Sequence, residues 1–159
     1  INPRHLRQYV IEPTLDHLAV WEPRIKSEAA IRLLMGTAQH ESRMGHFLHQ
    51  VGGPAVGIYQ MEPATHDDLL YRANRNIQLS YELEQLGTRL HRGMASGMAG
   101  NLYYATAMAR LLYWRRPEPL PHEDDFAGLG RYAKDHFNTR LGKATAEQYE
   151  RAIQETMYA

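Results

Sequence analysis

The acidic side chain best placed to do chemistry is Glu41. A helix is predicted from about Glu28 to about Ser42, with Ile31, Leu34, Met35 and Ala38 at helical spacing. At ~100° per residue, Glu41 falls only about 20° around that helix from Leu34 and close to Ala38, so it continues the apolar stripe. A carboxyl at the end of such a face, just before a glycine-rich run, is partly desolvated, and desolvation raises its pKa toward what a general acid needs at neutral pH. The bland alternative is an acid at a helix end that pairs with Arg43 or faces solvent. Ser42 either holds the carboxylate or caps the helix. The next acids along the chain are Glu62, Asp67 and Asp68, because the stretch from Ser42 to Met61 contains none. For Glu62 the alternative is simple helix-start electrostatics beside Pro63.

Other chemistries are excluded by residue type. With no cysteine there is no disulfide, thiolate zinc site or cysteine nucleophile. His40, His46, His49 and His66 cluster in sequence, but His40-Glu41 lacks the second histidine four residues on that a helical zinc protease shows, so neither metal nor other cofactor is expected. The 18 basic and 18 acidic residues cancel. The arginines are scattered without a basic stripe, which argues against a nucleic-acid partner bound through counterion release. No run approaches the roughly 20 apolar residues of a membrane span, and INPRHLRQYVIEP shows no signal-peptide core, so a soluble chain is expected.

The elements that would position these residues are mainly α. Residues 5–21 read as a helix or helix pair broken near Pro13. Ser27 is the expected N-cap of the Glu41 helix. Residues 44–61, with four glycines, one proline and no acid, suit a loop or small β-hairpin insert. Pro63 opens a short helix through Leu70. Asn74 or Asn76 caps another, whose stripe is Leu79, Leu83, Leu86 and Leu90. GMASGMAG (93–100) is a turn, and NLYYATAMARLLYW, apolar nearly all round, is the expected central buried helix. RRPEPLP is a stiff connector to a helix around 122–136. Thr145 and Gln148 form a capping box for the last helix, to about Tyr158. No repeat or boundary divides the 159 residues, and the expectation is one domain.

Glu41-Ser42, then Gly57-Ile58-Tyr59-Gln60-Met61-Glu62-Pro63-Ala64-Thr65, resembles the signature of soluble lytic transglycosylases within the lysozyme-like superfamily. Asn101-Leu102-Tyr103-Tyr104-Ala105, running into Leu111-Leu112, resembles that family's later Asn-initiated helix. QMEPATHDDL and YAKDHFNTRLGKAT look most like bacteriophage-encoded versions. The resemblance spans roughly residues 27–142. Tyr59 stands where the family usually has Met, the glycine spacing before Gly57 is shifted, and Arg131-Tyr132-Ala133 replaces a late Ala-Tyr-Asn.

The resemblance implies a lysozyme-like domain that cleaves the β-1,4 bond between N-acetylmuramic acid and N-acetylglucosamine in peptidoglycan. Glu41 would protonate the glycosidic oxygen and then deprotonate the sugar's own 6-hydroxyl, giving a 1,6-anhydro product. Ser42, Tyr59, Gln60, Glu62, Tyr103 and Tyr132 would contact substrate. Gln60 would either bond an N-acetyl group or close the hairpin, and Tyr103 and Tyr104 would either stack on sugar or pack in the core. Hydrolysis normally needs two carboxylates, and the acid-free insert supplies no second one, whereas Glu62, Asp67 and Asp68 keep a hydrolytic lysozyme open. The expected partners are peptidoglycan glycan strands and other virion proteins, and the place of action is the virion or the host periplasm, as lysin or wall-perforating component. An inactive structural virion protein and a nonenzymatic sugar-binding or inhibitor module are the rival readings.

Overall fold

Ser27 sets the frame. Its backbone is extended and its hydroxyl accepts from the Ala30 N–H at 3.0 Å, which starts the long helix Glu28–Ser42 where expected. A computed structural model of the chain describes residues 1–87, 90–138 and 142–159. Residues Thr139, Arg140 and Leu141 of the late segment that carries part of the family resemblance lie outside the described residues.

Numbered along the chain, the helices are α1 (Pro3–Leu6), α2 (Glu12–Leu18), α3 (Glu28–Ser42), α4 (Pro63–Ala73), α5 (Ile77–Leu86), α6 (Gly97–Gly100), α7 (Leu102–Trp114), α8 (Phe126–His136) and α9 (Ala146–Thr156). The architecture is mainly α, and the described residues hold no named strand. Three caps act as the sequence predicts: Ser27 on the Ala30 N–H, Asn76, the second of the two candidates, on Leu79, and a full capping box between Thr145 and Gln148; Asn101 caps α7 through the Tyr104 N–H.

Several boundaries differ from expectation. Pro13 does not break the first helix. A π-helical turn, Arg7–Ile11, joins α1 to α2, and the Glu12 N–H bonds back five residues to the Arg7 carbonyl. The wider turn relieves the clash a proline ring makes with the carbonyl four residues earlier. The Pro63 helix runs three residues past Leu70. Leu90 lies beyond the end of α5 and is exposed, so the α5 stripe is Leu79 and Leu83, with Leu86 partly buried. The helix expected from 122 starts at Phe126, because Asp125 caps it through the Gly128 N–H at 2.9 Å.

The insert is irregular and not a hairpin: its β pairing is limited to isolated antiparallel bridges, His49 with Val56 and Val56 with Met61. Gly57 adopts φ +84°, and a Cβ there would lie 2.7 Å from the Met98 carbonyl oxygen of α6, so the turn needs glycine on both counts.

Helix α7 is the buried centre, solvent-shielded from Tyr104 to Tyr113. Helix α9 packs against both α3 and α8. Its approach to α3 depends on Gly36, where a Cβ would fall 2.2 Å from Ile153 Cγ1. One apolar cluster, from Leu6 to Ile153, joins these elements.

Candidate active site

Glu41 sits in the last turn of α3, which ends in left-handed residues. Arg43 (φ 51°) and Met44 (φ 58°) turn the chain, and the Met44 N–H bonds to the Ala38 carbonyl at 3.1 Å in a Schellman-type closure without glycine. Glu41 lines a cleft of about 450 Å³ whose other walls come from the insert, the start of α4, Leu112 of α7, and Phe137, Asn138, Gly142 and Lys143.

The carboxyl is held by a residue from the far end of the chain. Tyr149, fully buried on α9, donates its hydroxyl hydrogen to Glu41 Oε1. The His40 ring is 4.2 Å from the Tyr149 ring, and burial holds the imidazole below its usual range, so no imidazolium sits beside the carboxyl at neutral pH. Among the described residues no cation lies within ion-pair distance of Glu41, and the Arg43 pairing considered from sequence does not form. Burial therefore dominates and pushes Glu41 up to about 7 from 4.5, with the Tyr149 bond pulling the other way. A carboxyl of that acidity, facing a cleft, can give up a proton and take one back near neutral pH.

Gln60 and Glu62 line the same cleft as Glu41. Gln60 has φ 48°, an uncommon backbone for a residue with a side chain, and its Nε2 donates to the Gly57 carbonyl at 2.8 Å, closing its own turn. Glu62 occupies the N-cap of α4 with extended backbone, yet its side chain makes no capping bond. Leu112 and Phe137 supply apolar wall, with Asn138 and Lys143 opposite in type.

The remaining expected site residues stand elsewhere. Ser42 is fully buried: its hydroxyl donates to the Ile58 carbonyl at 2.6 Å and accepts from the Gly45 N–H at 2.8 Å. It pins the insert to the helix end and does not hold the Glu41 carboxylate. Tyr59 is also buried, with its hydroxyl 3.0 Å from Thr106 Oγ1, and burial raises its pKa. It anchors the insert on α7 and presents no surface to the cleft. Tyr103 is 45% exposed and does not line the cleft. Tyr104 is buried, with its hydroxyl 2.7 Å from His66 Nε2, so core packing is its role. Tyr132 donates to the Glu118 carbonyl at 2.9 Å and lines a different cavity. Asp67 is taken up by His66 at 2.8 Å, and Asp68 by Arg72 at 3.0 Å; neither lines the cleft.

Among the described residues, three potential metal ligands come together only at His122, Glu123 and Asp124. None lines the cleft, and Asp124 accepts from Arg32 at 3.0 Å.

Tyr149 is the residue that sequence reasoning missed. It belongs to the stripe Tyr149, Ala152, Ile153 and Thr156, which reads as a core face. The available signal was a phenol in that face: a buried tyrosine hydroxyl calls for a partner, but 108 residues separate it from Glu41. Comparison with protein-family models, curated proteins and solved structures finds no match for this chain.

Proposed function

We propose that this chain is a lysozyme-like enzyme that cuts the β-1,4 bond between N-acetylmuramic acid and N-acetylglucosamine in peptidoglycan by lytic transglycosylation. The observation that carries the reading is Glu41: a carboxyl near pKa 7, bonded by Tyr149 and free of any cation among the described residues, at the edge of a cleft of about 450 Å³. Protonated Glu41 gives its proton to the glycosidic oxygen as the C1–O bond breaks. The resulting carboxylate takes the proton of the muramic acid 6-hydroxyl while O6 bonds to C1, and Glu41 ends protonated as it began. Tyr149 stabilises the carboxylate midway by hydrogen bonding to it. Gln60 lines the cleft, and with its Nε2 closing its own turn it would meet an N-acetyl group through Oε1. The family resemblance and its phage-like wording favour a phage-encoded lysin or a wall-perforating virion component, with glycan strands and other virion proteins as partners.

Hydrolysis is the second reading, and one observation favours it: Glu62 lines the cleft with Glu41, and its carboxylate is not spent on capping α4. As a base it would activate water across the bond. Mass spectrometry of a peptidoglycan digest decides between the two. The transglycosylase gives 1,6-anhydromuramoyl products, lighter by one water than the hydrolytic ones. Reducing-end products from the wild type overturn that reading and make Glu62 the second carboxylate. Absence of any cleavage leaves the inactive virion protein or the sugar-binding module.

A further inference from the structure

A second cavity, of about 440 Å³, lies between the C-terminal end of α7 and the connector that follows, and it shares no lining residue with the Glu41 cleft. Its walls include Arg24, Arg110, Trp114, Arg116, Glu118 and Tyr132. Arg110 is 3% exposed. Its Nε donates to the Ile25 carbonyl at 2.8 Å and its guanidinium lies 5.3 Å from the Trp114 ring centre. Among the described residues, its other N–H groups have no hydrogen-bond partner, and no carboxylate lies within ion-pair distance of Arg110 or Arg116. Arg116 Nε is buried and has no hydrogen-bond partner among the described residues.

A buried guanidinium without a counter-charge is costly, and so is a buried N–H left unpaired. Burial lowers the Arg110 pKa to about 10, which still leaves it charged at neutral pH. Arg24, 5.5 Å from the same indole, is bonded at 2.8 Å to Glu22 and adds a guanidinium at the rim. Among the described residues Glu118 is the only acid lining the cavity, and its carboxylate lies 3.9 Å from His136. The cavity thus holds two uncompensated cations, Arg110 and Arg116, with unused donors.

We propose that this cavity is a binding site for a phosphate monoester group, held by Arg110 and Arg116 with Arg24 at the rim. A phosphate near neutral pH carries close to two negative charges and presents several acceptor oxygens, which matches two guanidiniums; a single carboxylate leaves one of them unmatched. The volume suits a small organic phosphate or the headgroup of an anionic lipid. This site goes beyond the glycan chemistry of the Glu41 cleft, and its test needs no measurement of activity.

Isothermal titration at low ionic strength with inorganic phosphate and with glycerol 3-phosphate, set against co-sedimentation with phosphatidic acid vesicles in phosphatidylcholine, distinguishes the two sources of the group. Arg116→Gln is expected to weaken binding about tenfold, the loss of one charge-assisted contact. Arg24→Gln, at the rim, is the second variant if Arg116→Gln fails to fold by thermal melting. Arginine-dependent binding of the soluble phosphates supports the proposal and assigns a soluble ligand, and arginine-dependent binding of vesicles alone supports it and assigns a headgroup. Absence of arginine-dependent binding in both arms, or acetate bound as tightly as phosphate, overturns it.

Discussion

Replacing Tyr149 by Phe isolates the contact on which the acidity of Glu41 depends. The ring, and so the packing of α9 on α3 and the contact with His40, is kept; the hydroxyl that donates to Glu41 Oε1 is removed. Because that bond favours the carboxylate, its loss leaves burial unopposed and the Glu41 pKa rises above about 7. A hydrogen bond to a charged group is worth about 1.5–3 kcal/mol, and about 1.4 kcal/mol corresponds to one pH unit, so the ionisation moves up by about one to two pH units. Water entering the vacated space would restore part of the bond, so the figure is an upper bound. Two consequences follow for kcat/KM measured on purified peptidoglycan across pH. The alkaline limb, near pH 7 in the wild type where Glu41 loses its proton, shifts up. The plateau at lower pH drops about tenfold, since a weaker acid transfers its proton less readily. The reasoning is refuted by a limb that stays put or moves down while the variant melts like the wild type; the hydroxyl would then act on substrate or on folding and not through Glu41.

Glu41→Gln is expected to lower peptidoglycan cleavage by several orders of magnitude in a turbidity assay, since the amide has no proton to donate. The same variant should gain stability relative to the wild type as pH rises: the folded carboxyl ionises near 7 and the unfolded one near 4.5, so wild-type stability falls across that window, by about 3 kcal/mol at most, while the amide does not titrate, and urea melts of both at pH 5 and 8 read the difference. Glu62→Gln separates the reaction types, costing nearly as much activity as Glu41→Gln if Glu62 activates water and only modestly lowering it in a transglycosylase. Gly36→Ala should destabilise by about 1–3 kcal/mol, because its Cβ meets Ile153 Cγ1 at 2.2 Å and the Ile153 backbone at 3.1 Å; an unchanged melting temperature would show that α9 can shift at no cost.

What could be read from the sequence is what is decided within one turn of chain. Ser27, Asn76 and the Thr145–Gln148 box act on N–H groups three residues away, so their types and positions suffice. Glu41 was legible for a similar reason, since its angle to Leu34 is fixed by the helix itself. Pro13 shows the limit of local rules: a proline predicts a break, but here a π turn absorbs it between the buried Ile11 and Leu15. The family resemblance puts Ser42 and Tyr59 among the substrate contacts, but both are buried and their hydroxyls are engaged by the Ile58 carbonyl and by Thr106. Among the tyrosines, the one that reaches the acid is not Tyr132 but Tyr149, and that selection is made by the close approach of α9 to α3 at Gly36. The desolvation that lifts the Glu41 pKa thus depends in part on a helix more than 100 residues away along the chain. Any change that loosens α9 admits water to the carboxyl and returns it toward 4.5, so the strength of the acid and the docking of the last helix are one property of this fold.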